Sequence, residues 1–244
     1  MSCRFVHAAT TRFTTTRYGP RNKDSLTTNQ DSSMSETITR KRRVLVACEY
    51  SGTVRDAFAA LGWDAWSCDL LPTDKPGNHI QGDVLSILAD NWDLMIAHPP
   101  CTYLNRAGWH WVNKPDCATL PLKGEPRRRA SVEAAKFFML LLSAPIPKIA
   151  IENPRPISRA KLPKESQVIH PWQHGHGEMK ATCLWLKNLP LLTPTNIVTG
   201  REQRIFKLPP SKDRWKLRST TFQGIADAMA SQWSRPGITQ PQLF

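Results

Sequence analysis

From Arg43 onward the chain alternates short apolar runs with segments of helical period, and this alternation constrains the fold more than any other feature. The run "RVLVAC" (43–48) has the unbroken apolar character of a strand buried on both faces. After "EYSG" comes "TVRDAFAALG", a helix ended by Gly62. Further strands are expected at 64–70, 79–84 and 92–98, the last running into Pro99 and Pro100. A polar loop then extends to about Arg127, and a helix over 127–144 feeds a strand at 148–153. Two more strands, 166–170 and 181–188, precede a proline-rich basic connection over 189–218 and a last helix in "TFQGIADAMASQW". The expected product is one α/β domain, 42–244, with a largely parallel sheet and a real core.

Residues 1–41 are rich in Ser, Thr and Arg, carry no sustained periodicity and read as a disordered tail. Met34, just before the first strand, is the expected true start of an over-extended reading frame, in preference to an organelle transit peptide. Lys plus Arg number 33 against 20 Asp plus Glu, a formal charge of +13 that favours polyanions, nucleic acid first among them. The six cysteines, at 3, 48, 68, 101, 117 and 183, are scattered without Cys-x-x-Cys pairs, as expected of reduced thiols in a cytoplasmic protein. No apolar run has the length of a membrane span, so no membrane partner is expected.

In open α/β sheets, ligands bind outside the carboxyl ends of the strands, and the unusual residues of this chain collect there. The first strand ends in Cys48, Glu49, Tyr50, Ser51 and Gly52, where the turn offers backbone N–H groups and a close approach to a ligand. The second ends in Asp69, placed to bind ribose hydroxyls, and the third in Gly82-Asp83, where a carboxylate would receive an adenine amino group. The fourth ends in His98-Pro99-Pro100-Cys101, with the cysteine on a loop stiffened by two prolines, and the fifth in Glu152-Asn153-Pro154. If those strands are neighbours, a thiol and a carboxylate share one cleft. That pair suits addition to a conjugated ring: the thiolate attacks a carbon while the acid hydrogen-bonds a ring nitrogen.

The ordered series "VACEYSG", "CDLLP", "QGDV", "HPPCTYL", "AIENP" and "RSTTFQGIADAMA" resembles the motif series of the cytosine-5 DNA methyltransferases, in particular the short versions carried by bacteriophages. The resemblance covers the chain from about Arg43. It implies a Rossmann-like, seven-stranded, mostly parallel sheet with one antiparallel strand, and S-adenosylmethionine as methyl donor. By position, residues 48–52 would hold the donor's methionine end, Asp69 its ribose and Asp83 its adenine, with Pro99 and Thr221 also against the donor. Cys101 would attack carbon 6 of a cytosine and Glu152 would contact ring nitrogen 3 and the exocyclic amine, with Pro100, Asn153, Lys180 and Arg204 on the substrate side. The implied partner is DNA, with the cytosine flipped out or unpaired, and the protein is expected to act as a monomer without a metal.

The chain departs from the family pattern in three places. Its first motif has Cys48, Glu49 and Tyr50 where the family has more glycine and a phenylalanine. "HGHGEMKATCLWL" stands where a Gln-x-Arg-x-Arg motif belongs, so Lys180 takes the place of the arginine that meets the cytosine carbonyl oxygen. The target-recognition domain shrinks to 189–218, whose Arg201, Arg204, Lys207, Lys212, Arg214, Trp215 and Lys216 are candidate phosphate contacts. The loop after Cys101 interleaves Tyr103, Trp109 and Trp111 with basic residues, a composition suited to stacking on bases. His170, His174, His176 and Glu178 lie close together but lack a zinc-site pattern, and they read better as substrate-facing loop residues. Three alternatives stay open: methylation of an exocyclic amine, free cytosine nucleotides as substrate, and an inactive nucleic-acid-binding protein of this fold. An aromatic follows Pro-Pro in the amino-methylating enzymes, and Cys101 stands in that position here.

Overall fold

The computed structural model describes residues 40–235; the expected N-terminal tail, apart from its last two residues, lies outside the described residues. Seven strands form one sheet: β1 (Arg43–Ala47), β2 (Asp64–Asp69), β3 (His79–Gln81), β4 (Leu94–Ala97), β5 (Lys148–Pro154), β6 (Gln167–Ile169) and β7 (Thr182–Lys187). Their order is β3-β2-β1-β4-β5-β7-β6. Only β7 runs against the rest, pairing antiparallel with both β5 and β6. This is the strand order of a Rossmann-like, S-adenosylmethionine-dependent methyltransferase fold, as the sequence leads one to expect.

Period-two alternation explains why the sheet is covered on both faces. Val44 and Val46 point to one side, where helices α1 (Thr53–Ala59) and α5 (Gln223–Trp233) supply Phe58, Ile225, Met229 and Trp233. Leu45 and Ala47 point to the other, against Phe138 and Leu141 of helix α2 (Gly124–Leu142). Each such side chain, fully removed from water, stabilises the fold by about 1.5–3 kcal/mol. The sheet is therefore a rigid floor for whatever its strand ends carry.

The structure adjusts several expected boundaries. Strand β3 stops at Gln81 because Asp83 turns away to cap a short 3₁₀ helix, its Oδ1 accepting the Leu85 N–H at 3.0 Å. Helix α2 begins three residues before the expected Arg127, where Gly124 adopts φ 58° and Asp116 Oδ1 accepts the Glu125 N–H. The loop after Cys101 contains a 3₁₀ helix, Arg106–Asn113, and the 189–218 connection contains two short helices, α3 (Arg204–Lys207) and α4 (Arg214–Ser219). Among the described residues, no helix is long and apolar enough to cross a membrane.

Candidate active site

Chain direction reverses its lateral progress between β1 and β4, so the crevice of this sheet opens where these two strands end. The His98 N–H donates to the Ala47 carbonyl at 2.9 Å, which ties the two strand ends together. On the far side of β4, the parallel register places Ala97 opposite Ile151, so the next residues, His98 and Glu152, are neighbours. Their side chains meet: His98 Nδ1 lies 3.1 Å from Glu152 Oε2, with only 10% and 14% of the side chains exposed. One residue on, Asn153 Nδ2 donates to the Pro99 carbonyl at 2.9 Å, so β5 holds the proline pair that presents Cys101.

The Cys101 loop is braced on several sides. Its carbonyl accepts the N–H groups of Leu104 and Asn105, and the Asn105 side chain donates to Sγ at 3.6 Å. Leu104 in turn accepts from Ile157 N–H, just beyond β5. From α2, the buried Arg127 donates to the Thr102 carbonyl at 2.9 Å and packs its guanidinium on Tyr103. Nothing in the sequence marks Arg127, one of three consecutive arginines, as the one turned inward.

Electrostatics in this cleft are set by burial, by the Glu152 carboxylate and the Lys180 ammonium, and by the hydrogen bond from His98. Burial lifts the Cys101 thiol above its ordinary value and the Glu152 carboxylate adds to the lift, while Asn105 and the Lys180 ammonium oppose it. Burial also works to raise the Glu152 carboxyl, but the His98 hydrogen bond, the Lys180 charge and the Thr182 hydroxyl outweigh it and hold Glu152 below the usual carboxylate value. Lys180, fixed by donating to the Arg218 carbonyl at 3.0 Å, thus acts on both groups. The sequence pairs Cys101 with Glu152 and names Lys180 apart from them; the charges of Glu152 and Lys180 both act on Cys101, and His98 bonds Glu152.

Two polar atoms of this cleft, His98 Nε2 and Asn153 Oδ1, are buried without a hydrogen-bond partner. Most buried polar atoms are paired, so each exception calls for an explanation; among the described residues, atoms of Arg127, His170, His174 and Arg214 share this state.

The turn after β1 behaves differently from expectation. Glu49 is buried, and its carboxylate accepts the N–H groups of Val54 at 2.8 Å and Arg55 at 3.2 Å, together with the Ser51 hydroxyl. The start of α1 is therefore capped from within the chain, and its N–H groups are not left for a ligand. Gly52 has φ 70°, and a Cβ there would collide with the Arg55 guanidinium, so its open space is filled by Arg55 rather than kept for a donor. Arg55, 1% exposed, donates onward to Ser67 and Thr73 and to the carbonyls of Lys75 and Pro76, fastening the 73–78 loop. Tyr50 is also engaged: its hydroxyl lies 3.0 Å from Ser219 Oγ and its ring packs on Trp215.

Two aspartates, Asp69 and Asp83, stand at this end of the sheet. Asp69 uses Oδ1 on the Leu71 N–H, and burial lifts its carboxyl above the usual range. Burial pushes the Cys68 thiol up to about 12, with the nearby Asp69 and Asp83 carboxylates adding to the rise. Cys48, with φ 58°, makes the left-handed bend that starts the turn. Asp69 and Asp83 each place one carboxylate oxygen on a chain N–H, and the 49–52 turn is occupied by its own side chains. Pro99 is buried, Pro100 and Thr221 are half-buried, and Thr221 stands just ahead of α5.

The histidine cluster bonds largely within the chain, although His170 Nδ1 and His174 Nε2 are buried without a hydrogen-bond partner. His174 Nδ1 meets Thr195 Oγ1 at 3.0 Å, and His176 Nε2 accepts the Gly224 N–H at the start of α5. Buried Glu178 accepts the N–H groups of Arg204 and Ile205, which also draws the Arg204 guanidinium toward it at 3.5 Å. Arg204 is therefore ion-paired, with Glu178 and with Glu202. Among the described residues, no group of three or more His, Cys, Asp or Glu side chains is placed to hold a metal ion.

No protein-family model matches the chain, and no curated protein matches it. Among solved structures, it is similar to a candidate DNA modification methyltransferase encoded within a prophage of E. coli, at 15% identity and a TM-score of 0.40, covering 69% of this chain and 56% of that one. It is also similar to the Entamoeba histolytica methyltransferase EhMeth, at 12% identity and a TM-score of 0.40, covering 66% and 58%. The chain thus spans less than two thirds of either structure's length.

Proposed function

We propose that this protein transfers a methyl group from S-adenosylmethionine to carbon 5 of cytosine in DNA, through a transient covalent bond to Cys101. The observation that carries the reading is the convergence of the Cys101 thiol, the His98-bonded Glu152 carboxylate and the Lys180 ammonium outside the ends of β4 and β5. Cys101 Sγ, as thiolate, attacks carbon 6, and the 5,6 double-bond electrons move into the ring. Glu152 faces ring nitrogen 3 and the exocyclic amine, and Lys180 faces the carbonyl oxygen where negative charge gathers. The donor, when bound, supplies the methyl group that carbon 5 accepts. Water takes the proton from carbon 5, the electrons of that bond re-form the 5,6 double bond, and the sulfur–carbon bond breaks so that Cys101 leaves as thiolate. Asp69 and Asp83 would hold the donor's ribose and adenine. The surplus of 13 positive charges supports a polymeric over a mononucleotide substrate.

The test is incubation with labelled donor and DNA, followed by nucleoside analysis. 5-Methylcytosine is the expected product, with DNA containing 5-fluorocytosine trapping the protein as a denaturation-resistant adduct. Cys101→Ser should lose methyl transfer while keeping donor affinity. Methyl on an exocyclic nitrogen, or substantial activity in Cys101→Ser, would replace this reading with amine methylation.

A further inference from the structure

The segment between β7 and α5 carries a surface that the chemistry above does not use. Phe206 on α3 is 63% exposed, and Trp215 and Leu217 on α4 are 37% and 54% exposed. Large apolar side chains left in water side by side mark an interaction surface. The two helices are neighbours, since the Arg214 guanidinium donates to the Phe206 carbonyl. Beside Phe206, an open hollow of about 550 Å³ is lined by Arg201, Glu202, Gln203, Arg204 and Lys207. On α4, the Lys216 ammonium sits over both the Trp215 and Tyr50 rings.

Aromatic faces interleaved with cations are the recognition chemistry of an unpaired polynucleotide: bases stack on the rings while the cations follow the phosphates. A paired duplex hides its base faces and cannot use Phe206 in this way. Arg218, in the last turn of α4, accepts the hydrogen bond of Lys180. The end of α4 is thereby bonded to the residue whose charge acts on the thiol and the carboxylate.

Resting on the function proposed above, we propose that α3 and α4 form a stacking platform for unpaired DNA, with Phe206 as its exposed base-stacking face and Lys207 among its phosphate contacts. The substrate is then a single strand or a locally opened duplex, and no separate recognition domain has to extrude the base.

Anisotropy titrations of the full chain with a labelled single-stranded oligonucleotide and with its duplex, over a range of NaCl, test this. The single strand should bind more tightly. Phe206→Ala should weaken single-strand binding by on the order of tenfold without changing the log–log salt slope, and Phe206→Tyr should restore it. Lys207→Gln should instead reduce the slope by about 0.7. Tighter binding of the duplex, or wild-type affinity in Phe206→Ala, would overturn the platform. Nucleoside analysis of the same mixtures separates the two proposals. Strand binding with the Phe206 signature but without 5-methylcytosine defeats the methylation reading alone; 5-methylcytosine formed without any effect of Phe206 defeats the platform alone.

Discussion

The strand ends of β1 and of β4 and β5 lie on the same edge of the sheet, yet they treat their polar groups in opposite ways. After β1, the Glu49 carboxylate closes on the N–H groups of Val54 and Arg55, and Arg55 fills the space beside Gly52. After β4 and β5, the braced loop and the His98–Glu152 contact still leave His98 Nε2 and Asn153 Oδ1 buried and unpartnered. A carboxylate at a strand end is thus not by itself a ligand site. Both carboxylates are met by the chain, Glu49 by N–H groups of α1 and Glu152 by His98; the difference lies in the neighbours of Glu152, whose His98 Nε2 and Asn153 Oδ1 stay unpartnered. Glu49 belongs to the folding energy of α1, whereas Glu152 is the acid to which the proposed chemistry assigns a role.

Replacing each acid by its amide gives the sharpest way to break this comparison. Glu49→Gln removes charge-assisted hydrogen bonds at a buried helix start and should destabilise the protein by about 1.5–3 kcal/mol in urea unfolding. Glu152→Gln should abolish methyl transfer while moving the unfolding midpoint much less. If Glu49→Gln left stability unchanged, or Glu152→Gln proved the more destabilising, the division would fail.

A smaller effect concerns the thiol. Burial and Glu152 raise the Cys101 value, whereas Lys180 lowers it. Alkylation of Cys101 by iodoacetamide should therefore climb with pH to a midpoint above that of an ordinary thiol. Glu152→Gln should move the midpoint down and speed the reaction at pH 8 several-fold, and Lys180→Met should move it up. Peptide mapping of the alkylated protein isolates Cys101 from the other cysteines, and shifts in the reverse sense would show that the charges do not share the cleft.

The smallest effect is on acid stability. The folded Glu152 carboxyl titrates below its unfolded value, so its contribution is present above the unfolded value and is lost as pH falls through the folded one. Urea titrations from pH 5 downward should show a steeper loss in wild type than in Glu152→Gln. Parallel curves would remove the His98 and Lys180 interactions as net stabilisers of the carboxylate.

Much of the floor was legible in the residues because it rests on periodicity. "RVLVAC" and "KIAIEN" announce buried strands, and Pro99-Pro100 and Asn153-Pro154 announce where they stop. What escaped are interactions whose partners are far apart in the chain. Arg55 and Arg127 look like surface charges until the carbonyls of Lys75, Pro76 and Thr102 are folded around them. The cap by Glu49 has a local signal, an acid three residues before a glycine that opens a helix: the nearest donors to its carboxylate are the N–H groups of Val54 and Arg55, not a ligand. His98 was seen as part of its motif, but its role follows only from the β4–β5 register that sets it against Glu152. The 170–178 cluster misled in the other direction, since His174, His176 and Glu178 bond to the 189–218 connection and to α5.

Tyr50 joins the two regions that a reaction would have to coordinate. Its hydroxyl meets Ser219, its ring meets Trp215, and its carbonyl accepts the N–H of Asp74, whose carboxylate pairs with Lys216. The first turn of the sheet and helix α4 therefore share one small joint. Thermodynamic reciprocity fixes what such a joint can do: if filling one side shifts Tyr50, the free energy transmitted to α4 equals the free energy that a strand pulling on α4 transmits back.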